Sequence, residues 1–273
     1  PPAFRMTILS ILDLSPVPAG GSAAQSLRNS IDLARHADRL GYHRYWLAEH
    51  HNLANIASSA PDIMIGQIAA ATRNMRIGSG GVMLPNHAPL TVAERFKVLE
   101  ALFPGRIDLG LGRAPGTDHV TSIALRRRQD VRDDDDFLDR FQELLLLENN
   151  GYPTDHPFSK VRAMPDDVAL PPIFLLGSSD YSAQLAAQIG AGFAFAHHFA
   201  SHDARDAMRL YRDRFKPSQH MHEPYAILGT AAVVAETAGE AERLASTIDL
   251  NCVRRAKGVY APLERPEVAL ASD

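Results

Sequence analysis

The chain of 273 residues has a single cysteine, Cys252. One thiol excludes an intrachain disulfide and suits a reducing compartment. A core of this size holds without such staples. No stretch approaches the roughly 18 continuous apolar residues of a membrane-spanning helix. The opening PPAFRMTILSILDL lacks the basic leader of a secretory signal, so a cytoplasmic location is expected. Charge of one sign is scarce too. A net charge of −4 leaves no cationic face for nucleic acid. The one tight basic run, Arg126-Arg127-Arg128, is offset by the acidic run at 133–136 and reads as solvated surface. No repeat, low-complexity tract or linker divides the chain, and one domain over 1–273 is expected.

What the sequence does have is alternation. Apolar strand-like runs at 4–14, 42–47, 75–84, 106–113, 172–176, 192–199 and 225–235 are each followed by a stretch of helical spacing, at 26–40, 61–72, 89–102, 136–148, 182–189, 203–215 and 239–253. Pro61 suits a first helical turn and Gly190 a helix end. The polar stretch 114–132 is too long for a simple connection and predicts a mobile lid or an ordered excursion. Seven strand–helix units leave an open doubly wound sheet or an eightfold barrel. The first strand–helix turn lacks G-x-G-x-x-G, which removes the main reason to prefer the open sheet. The expected fold is a TIM (β/α)8 barrel whose eighth unit is not evident in these residues.

In a parallel barrel the strand ends converge on one rim, where such enzymes keep their chemistry. That rim would receive Asp13-Leu14-Ser15, Glu49-His50-His51, Ser79-Gly80-Gly81, Gly112-Arg113, Ser178-Ser179 and His197-His198. Neighbouring strand residues point to opposite sides, so one of His50 and His51 is expected to face the pocket and the other to support it. A neutral imidazole is a natural proton carrier at cellular pH. The GSSDYS stretch beginning at Gly177 reads either as an anion site, with Arg113 nearby, or as ordinary N-capping by Ser179 or Asp180. Gly78, Gly80 and Gly81 would let a flat ring approach the backbone, or answer a packing constraint. Metallohydrolase barrels take a His-x-His pair from the first strand end; Asp13-Leu14-Ser15 stands there instead, and no metal site is expected.

Three stretches carry more than periodicity: WLAEHHN, IGSGGVMLPNHAPLTVAERFKVLEALFPGRIDLGLGRAPGTD and FLLGSSDYSAQLAAQIG. Together they resemble the bacterial luciferase-like flavin monooxygenase family, most closely its single-chain group 1 oxidoreductases. The resemblance runs over about residues 4–253, and the block at 77–118 is its most specific part. It implies a TIM barrel that binds FMN, reduced by a separate flavin reductase. Reaction with O₂ then delivers one oxygen atom to a small organic substrate, and a homodimer is implied as well. Carried over by position, His50 is the catalytic acid/base, with Glu49, His51 and His197 on the substrate side. Ser79-Gly80 matches a non-proline cis peptide beneath the isoalloxazine. Arg113, Ser178, Ser179 and Ser182 match the FMN phosphate site, which turns the open choice above towards anion binding. Luciferase itself has a reactive cysteine just before the matched arginine; Gly112 stands here, so no thiol takes part. The resemblance also places a final helix and eighth strand beyond these residues. A deazaflavin-dependent oxidoreductase and a non-catalytic flavin-binding protein are the competing expectations.

Overall fold

The computed structural model describes residues 7–127, 136–200 and 203–272. Strand and helix alternate as β1 (Ser10–Asp13), α1 (Ala23–Arg39), β2 (Arg44–Leu47), α2 (Pro61–Ala71), β3 (Arg76–Ser79) and β4 (Val82–Met83). There follow a 3₁₀ turn (Leu84–Asn86), α3 (Pro89–Leu102), β5 (Ile107–Gly112), α4 (His119–Arg126) and α5 (Phe137–Glu148). Then come β6 (Ile173–Gly177), α6 (Asp180–Ile189), β7 (Gly192–Ala196), α7 (Ala204–Arg214), β8 (Ala226–Gly229), α8 (Ala238–Ala256) and α9 (Pro266–Leu270). All the ladders are parallel, in the order β1-β2-β3-β5-β6-β7-β8, with β4 beside β5.

Alternate side chains explain why this sheet curls. Tyr45, Leu47, Ile77, Leu109, Leu111, Leu175 and Phe193 face outward into one core with the helices. Trp46, Phe174 and Ala194 face inward, with Leu176 and Ile227 against them. Trp46 on β2 meets Phe174 on β6 edge to face at 5.1 Å, although β3 and β5 lie between their strands. A flat sheet would hold them far apart, so the sheet wraps into a barrel. The seven main strands nearly close a TIM-type barrel; among the described residues β1 and β8 form no ladder with each other.

The lumen is filled by few, large rings because their neighbours lack side chains. A Cβ on Gly192 would lie 2.2 Å from the Phe174 ring, and one on Gly78 would lie 2.5 Å from the Asp108 carbonyl oxygen. Packing therefore accounts for Gly78. At Gly80 a Cβ would meet Leu12 at 2.6 Å, and Trp46 lies next to it.

Several expectations are corrected in detail. The run 75–84 is two strands, and its cis peptide joins Gly80 and Gly81, not Ser79 and Gly80. The ladder explains the placement. Gly80 N–H donates to Leu47 O at 2.7 Å, so strand pairing continues through the Ser79–Gly80 peptide and breaks only at the next bond. The runs 192–199 and 225–235 shorten together, because β8 pairs only with β7 and β7 ends at Ala196. Residues 4–6 of the first expected strand lie outside the described residues. So do Arg128 and residues 133–135 of the charge runs. The described part of 114–132 is an ordered excursion: α4 starts where the Asp118 carboxylate accepts the Thr121 N–H at 3.0 Å. Among the described residues no helix is long and apolar enough to cross a membrane.

Candidate active site at the strand ends

Glu49 ends the run that begins with β2 and is wholly buried. Its Oε1 accepts from His51 Nε2 at 2.7 Å, and His87 Nε2 lies 2.9 and 3.0 Å from its two oxygens. Oε2 also accepts the Met83 N–H at 2.9 Å. Burial alone would raise the Glu49 pKa. The His51 and His87 donors and the Met83 N–H outweigh that and hold it down at about 2. One ionised carboxylate thus ties together the end of β2, the end of β4 and the turn that follows. Expected on the substrate side, Glu49 has both oxygens engaged by protein.

His50 points the other way. Gly116 O accepts both from His50 Nδ1 at 3.1 Å and from the His51 N–H at 3.2 Å. A carbonyl can only accept, so Nδ1 carries the proton and Nε2 keeps its lone pair. Among the described residues Nε2 has no hydrogen-bond partner. Burial lowers the His50 pKa, and the positive charge of Arg255 adds to this against the opposing Gly116 bond and Glu49 charge. The ring is a neutral base at neutral pH. Gly116 can come this close because its φ of +67 needs no side chain, and a Cβ there would lie 2.7 Å from Glu49 O. Thr117 Oγ1 donates to His51 O at 2.8 Å, and Asn52 Nδ2 to Asp118 at 3.1 Å. The segment before α4 is therefore fastened to the His50 strand end.

Across the rim, β6 ends at Gly177 and α6 begins at Asp180. Ser179 stands at the N-cap position, yet its side chain caps nothing. Among the described residues the hydroxyls of Ser178, Ser179 and Ser182 make no hydrogen bond. Arg113, following β5, lies over the Tyr181 ring at 4.9 Å. Uncapped helix N–H groups, three hydroxyls and a guanidinium are a donor set suited to a phosphate. The capping alternative weakens accordingly.

Other expected members are placed differently. Ser79 is fully buried and exchanges hydrogen bonds with Gly110, donating to O at 2.8 Å and accepting from N at 3.0 Å. Asp13 turns outward and is held by Tyr45 OH at 2.6 Å and the Ser15 N–H at 2.8 Å. His197 lies exposed in the turn after β7, its N–H bonded to Gly229 O at 2.8 Å. Among the described residues no group of three His, Cys, Asp or Glu is arranged to hold a metal ion. His87 and Gly116 escaped the periodicity reading because both sit in irregular chain. Their one sequence signal is membership of the block at 77–118.

Comparison with known proteins gives the family. The family model described as luciferase-like monooxygenase matches residues 7–267. A luciferase-like monooxygenase of Escherichia coli (strain K12) is 48% identical over 257 residues, covering 94% of this chain and 75% of that protein. The N-acetyl-S-alkylcysteine monooxygenase of Bacillus subtilis (strain 168) is 40% identical over 242 residues, 87% of this chain and 71% of that one. Among solved structures, apo-MsnO8 superposes with a TM-score of 0.86 at 40% identity, over 96% of this chain and 77% of that chain. Two remoter structures share the fold alone. One is the oxygenating constituent of 3,6-diketocamphane monooxygenase in complex with FMN, at TM-score 0.67 and 19% identity; it is matched over 92% of this chain and 76% of that one. The other is an F420-dependent secondary alcohol dehydrogenase, at TM-score 0.65 and 17% identity, over 97% of this chain and 81% of that one. The chain belongs to the luciferase-like monooxygenase family.

Proposed function

We propose that the protein is an FMN-dependent monooxygenase that uses reduced flavin and O₂ to oxygenate a small organic substrate. The observation that carries this reading is the uncapped start of α6, where Ser178, Ser179 and Ser182 keep unpartnered hydroxyls on the same rim as His50. Those hydroxyls, the α6 N–H groups and Arg113 would hold the FMN phosphate. When bound, reduced FMN supplies the electrons that activate O₂. The chain's own part is position and protons. His50 is neutral, with Nδ1 fixed by Gly116 O, and presents Nε2 to accept or return a proton at the reacting centre. Glu49 and His51 hold that strand end in place, and the 114–118 segment helps to exclude water.

On this reading the reduced flavin comes from a separate reductase, and the enzyme works in the cytoplasm as a homodimer. A relative at 40% identity is named for N-acetyl-S-alkylcysteines, so small thioethers head the substrate screen. Anaerobic titration with FMN, reduced FMN and reduced F420 tests the cofactor, followed by admission of O₂ with each candidate substrate. Tight binding of reduced FMN and substrate-dependent oxygen transfer are expected. Binding of reduced F420 alone would replace the cofactor in this reading. Flavin binding with no oxygenated product across the screen would favour a carrier.

A further inference from the structure

Helix α8 reaches the rim loops at Asn251 and is lightly fastened there. It has no fully buried residue. Its seat on the rim includes a long hydrogen bond from Asn55 Nδ2 to Asn251 Oδ1, at 3.4 Å. Asn55 is only 7% exposed, and its own Oδ1 is buried with no partner. The chain beyond the helix is tied down through Leu263, whose N–H donates to Val17 O at 3.0 Å while its O accepts the Ala19 N–H at 2.7 Å. An unfinished polar seam thus lies between the His50 loop and this helix.

Two arginines stand in the last turn of α8. Arg254 is paired with Glu264 at 3.4 Å. Arg255 is exposed, and its side chain has no ion pair, hydrogen bond or ring contact among the described residues. Arg255 follows Asn251 by four residues, so both lie on one face of the helix, one turn apart. Asn251 touches Asn55, five residues past His50. The unpaired guanidinium therefore lies on the helix face that meets the loop following the proposed base, and its charge is felt at His50. The plain alternative is a solvated cation complementing the helix C-terminus. It does not explain why the unpaired arginine is the one on the rim face while its neighbour has a carboxylate.

We propose that the substrate is a small organic acid whose carboxylate is held by Arg255 of α8. This deepens the monooxygenase reading and rests on it. Arg255 would fix one end of the substrate and leave its neutral body to reach His50 and the flavin. A planar guanidinium can take a carboxylate through two parallel N–H donors, a geometry an ammonium does not reproduce.

The test uses one molecular body with three head groups: 3-phenylpropionate, 3-phenylpropionamide and 3-phenylpropylammonium. Each is titrated calorimetrically into the protein, alone and with FMN present to fill the phosphate site. The carboxylate is expected to bind about tenfold more tightly than the amide, as one charge-assisted contact allows, and the ammonium least. In Arg255→Gln that ratio should fall to near one. Arg255→Lys should recover part of it, and Arg254→Gln should leave it standing. An unchanged ratio in Arg255→Gln overturns the proposal, as does wild-type protein with no carboxylate preference, including binding of none of the three probes. Reduced-FMN titrations of the same samples separate the two readings. Loss of the carboxylate preference beside normal flavin binding sinks only the anchor. Failure to bind any flavin sinks the flavin reading, and the probe titrations on protein alone still decide the role of Arg255.

Discussion

The two ends of the barrel handle buried charge in opposite ways. At the N-terminal end, Asp108 Oδ2 accepts from Arg44 Nε at 2.9 Å and Trp46 Nε1 at 3.1 Å. Its Oδ1 accepts from Arg76 Nε at 2.9 Å and Nη2 at 2.6 Å. Arg44 Nη1 also donates to Tyr225 OH at 2.6 Å, and its guanidinium lies over the Tyr225 ring at 4.6 Å. A cavity of about 240 Å³ opens there, and its buried carboxylate, Asp108, is fully paired within the protein. At the C-terminal rim Glu49 and Asp13 are engaged by protein in the same way, but other polar groups there are not. His50 Nε2, the three hydroxyls at α6 and Arg255 have no such partner among the described residues. Saturated polar groups are what a fold needs; unsaturated ones in a concave rim are what a ligand needs.

The sharpest way to break this comparison is at the bottom. Asp108→Asn strips two arginines of the buried charge they share, and breaking such a network costs about 4 kcal/mol. Urea unfolding should show that loss, with catalysis retained by the fraction that stays folded. A catalytic defect larger than the stability defect would mean that the bottom is part of the chemistry. The rim should behave in the reverse sense. His50→Gln should lower turnover by about 10²–10⁴-fold, the usual share of a positioned proton carrier. Its unfolding free energy should move by about 1 kcal/mol at most. Steady-state oxygenation beside denaturant unfolding checks both, and turnover within a few-fold of wild type would remove His50 from the mechanism.

Glu49 is a rim residue that resembles the bottom, so it should respond as structure does. Its pKa of about 2 in the fold, against an ordinary 4.5, corresponds to about 3 kcal/mol of stability. Because the folded value is depressed, that stability is fully present above about pH 4.5 and is lost as pH falls towards 2. Glu49→Gln should therefore unfold more easily than wild type by about 3 kcal/mol at pH 7. The gap should narrow as both are titrated from pH 4.5 downward. A gap that is constant with pH would show that the carboxylate's charge does not hold His51 and His87.

The rim was legible in the sequence and the bottom was not, for a physical reason. Glu49, His50 and His51 interrupt an apolar strand at its end, and Arg113 and Ser178 follow other strands in the same way, so period and position expose them together. Arg44 and Asp108 lie 64 residues apart and within apolar strand runs, where only the closure of the barrel brings them together. His87 lay hidden for a related reason: a histidine between prolines in a turn has no periodic context. The seven strand–helix units could be read because each needs its own buried face. Their ends were misplaced where pairing with a neighbour, as between β7 and β8, decided how far a strand runs. The cis peptide was misplaced by one bond, since Ser79-Gly80-Gly81 offers two adjacent candidates and only the ladder through Gly80 tells them apart.

The smallest expected effect sharpens the comparison most. Ser182 Oγ makes no hydrogen bond among the described residues, so Ser182→Ala removes nothing the folded chain uses. Exposed or half-exposed changes of this kind move stability by about 0.5 kcal/mol or less. Capping provides the contrast: a serine that does cap a helix costs about 1 kcal/mol when truncated. Ser182→Ala should therefore leave the urea midpoint in place while weakening reduced FMN about tenfold, the worth of one hydrogen bond to a charged phosphate. Ser178→Ala should do the same. Riboflavin, which lacks the phosphate, should bind the variants and the wild type alike. If both flavins weaken equally, the hydroxyls support the shape of the pocket and not the anion. If stability falls with no change in either flavin, the start of α6 is an ordinary helix end, and the rim loses the feature that set it apart from the bottom.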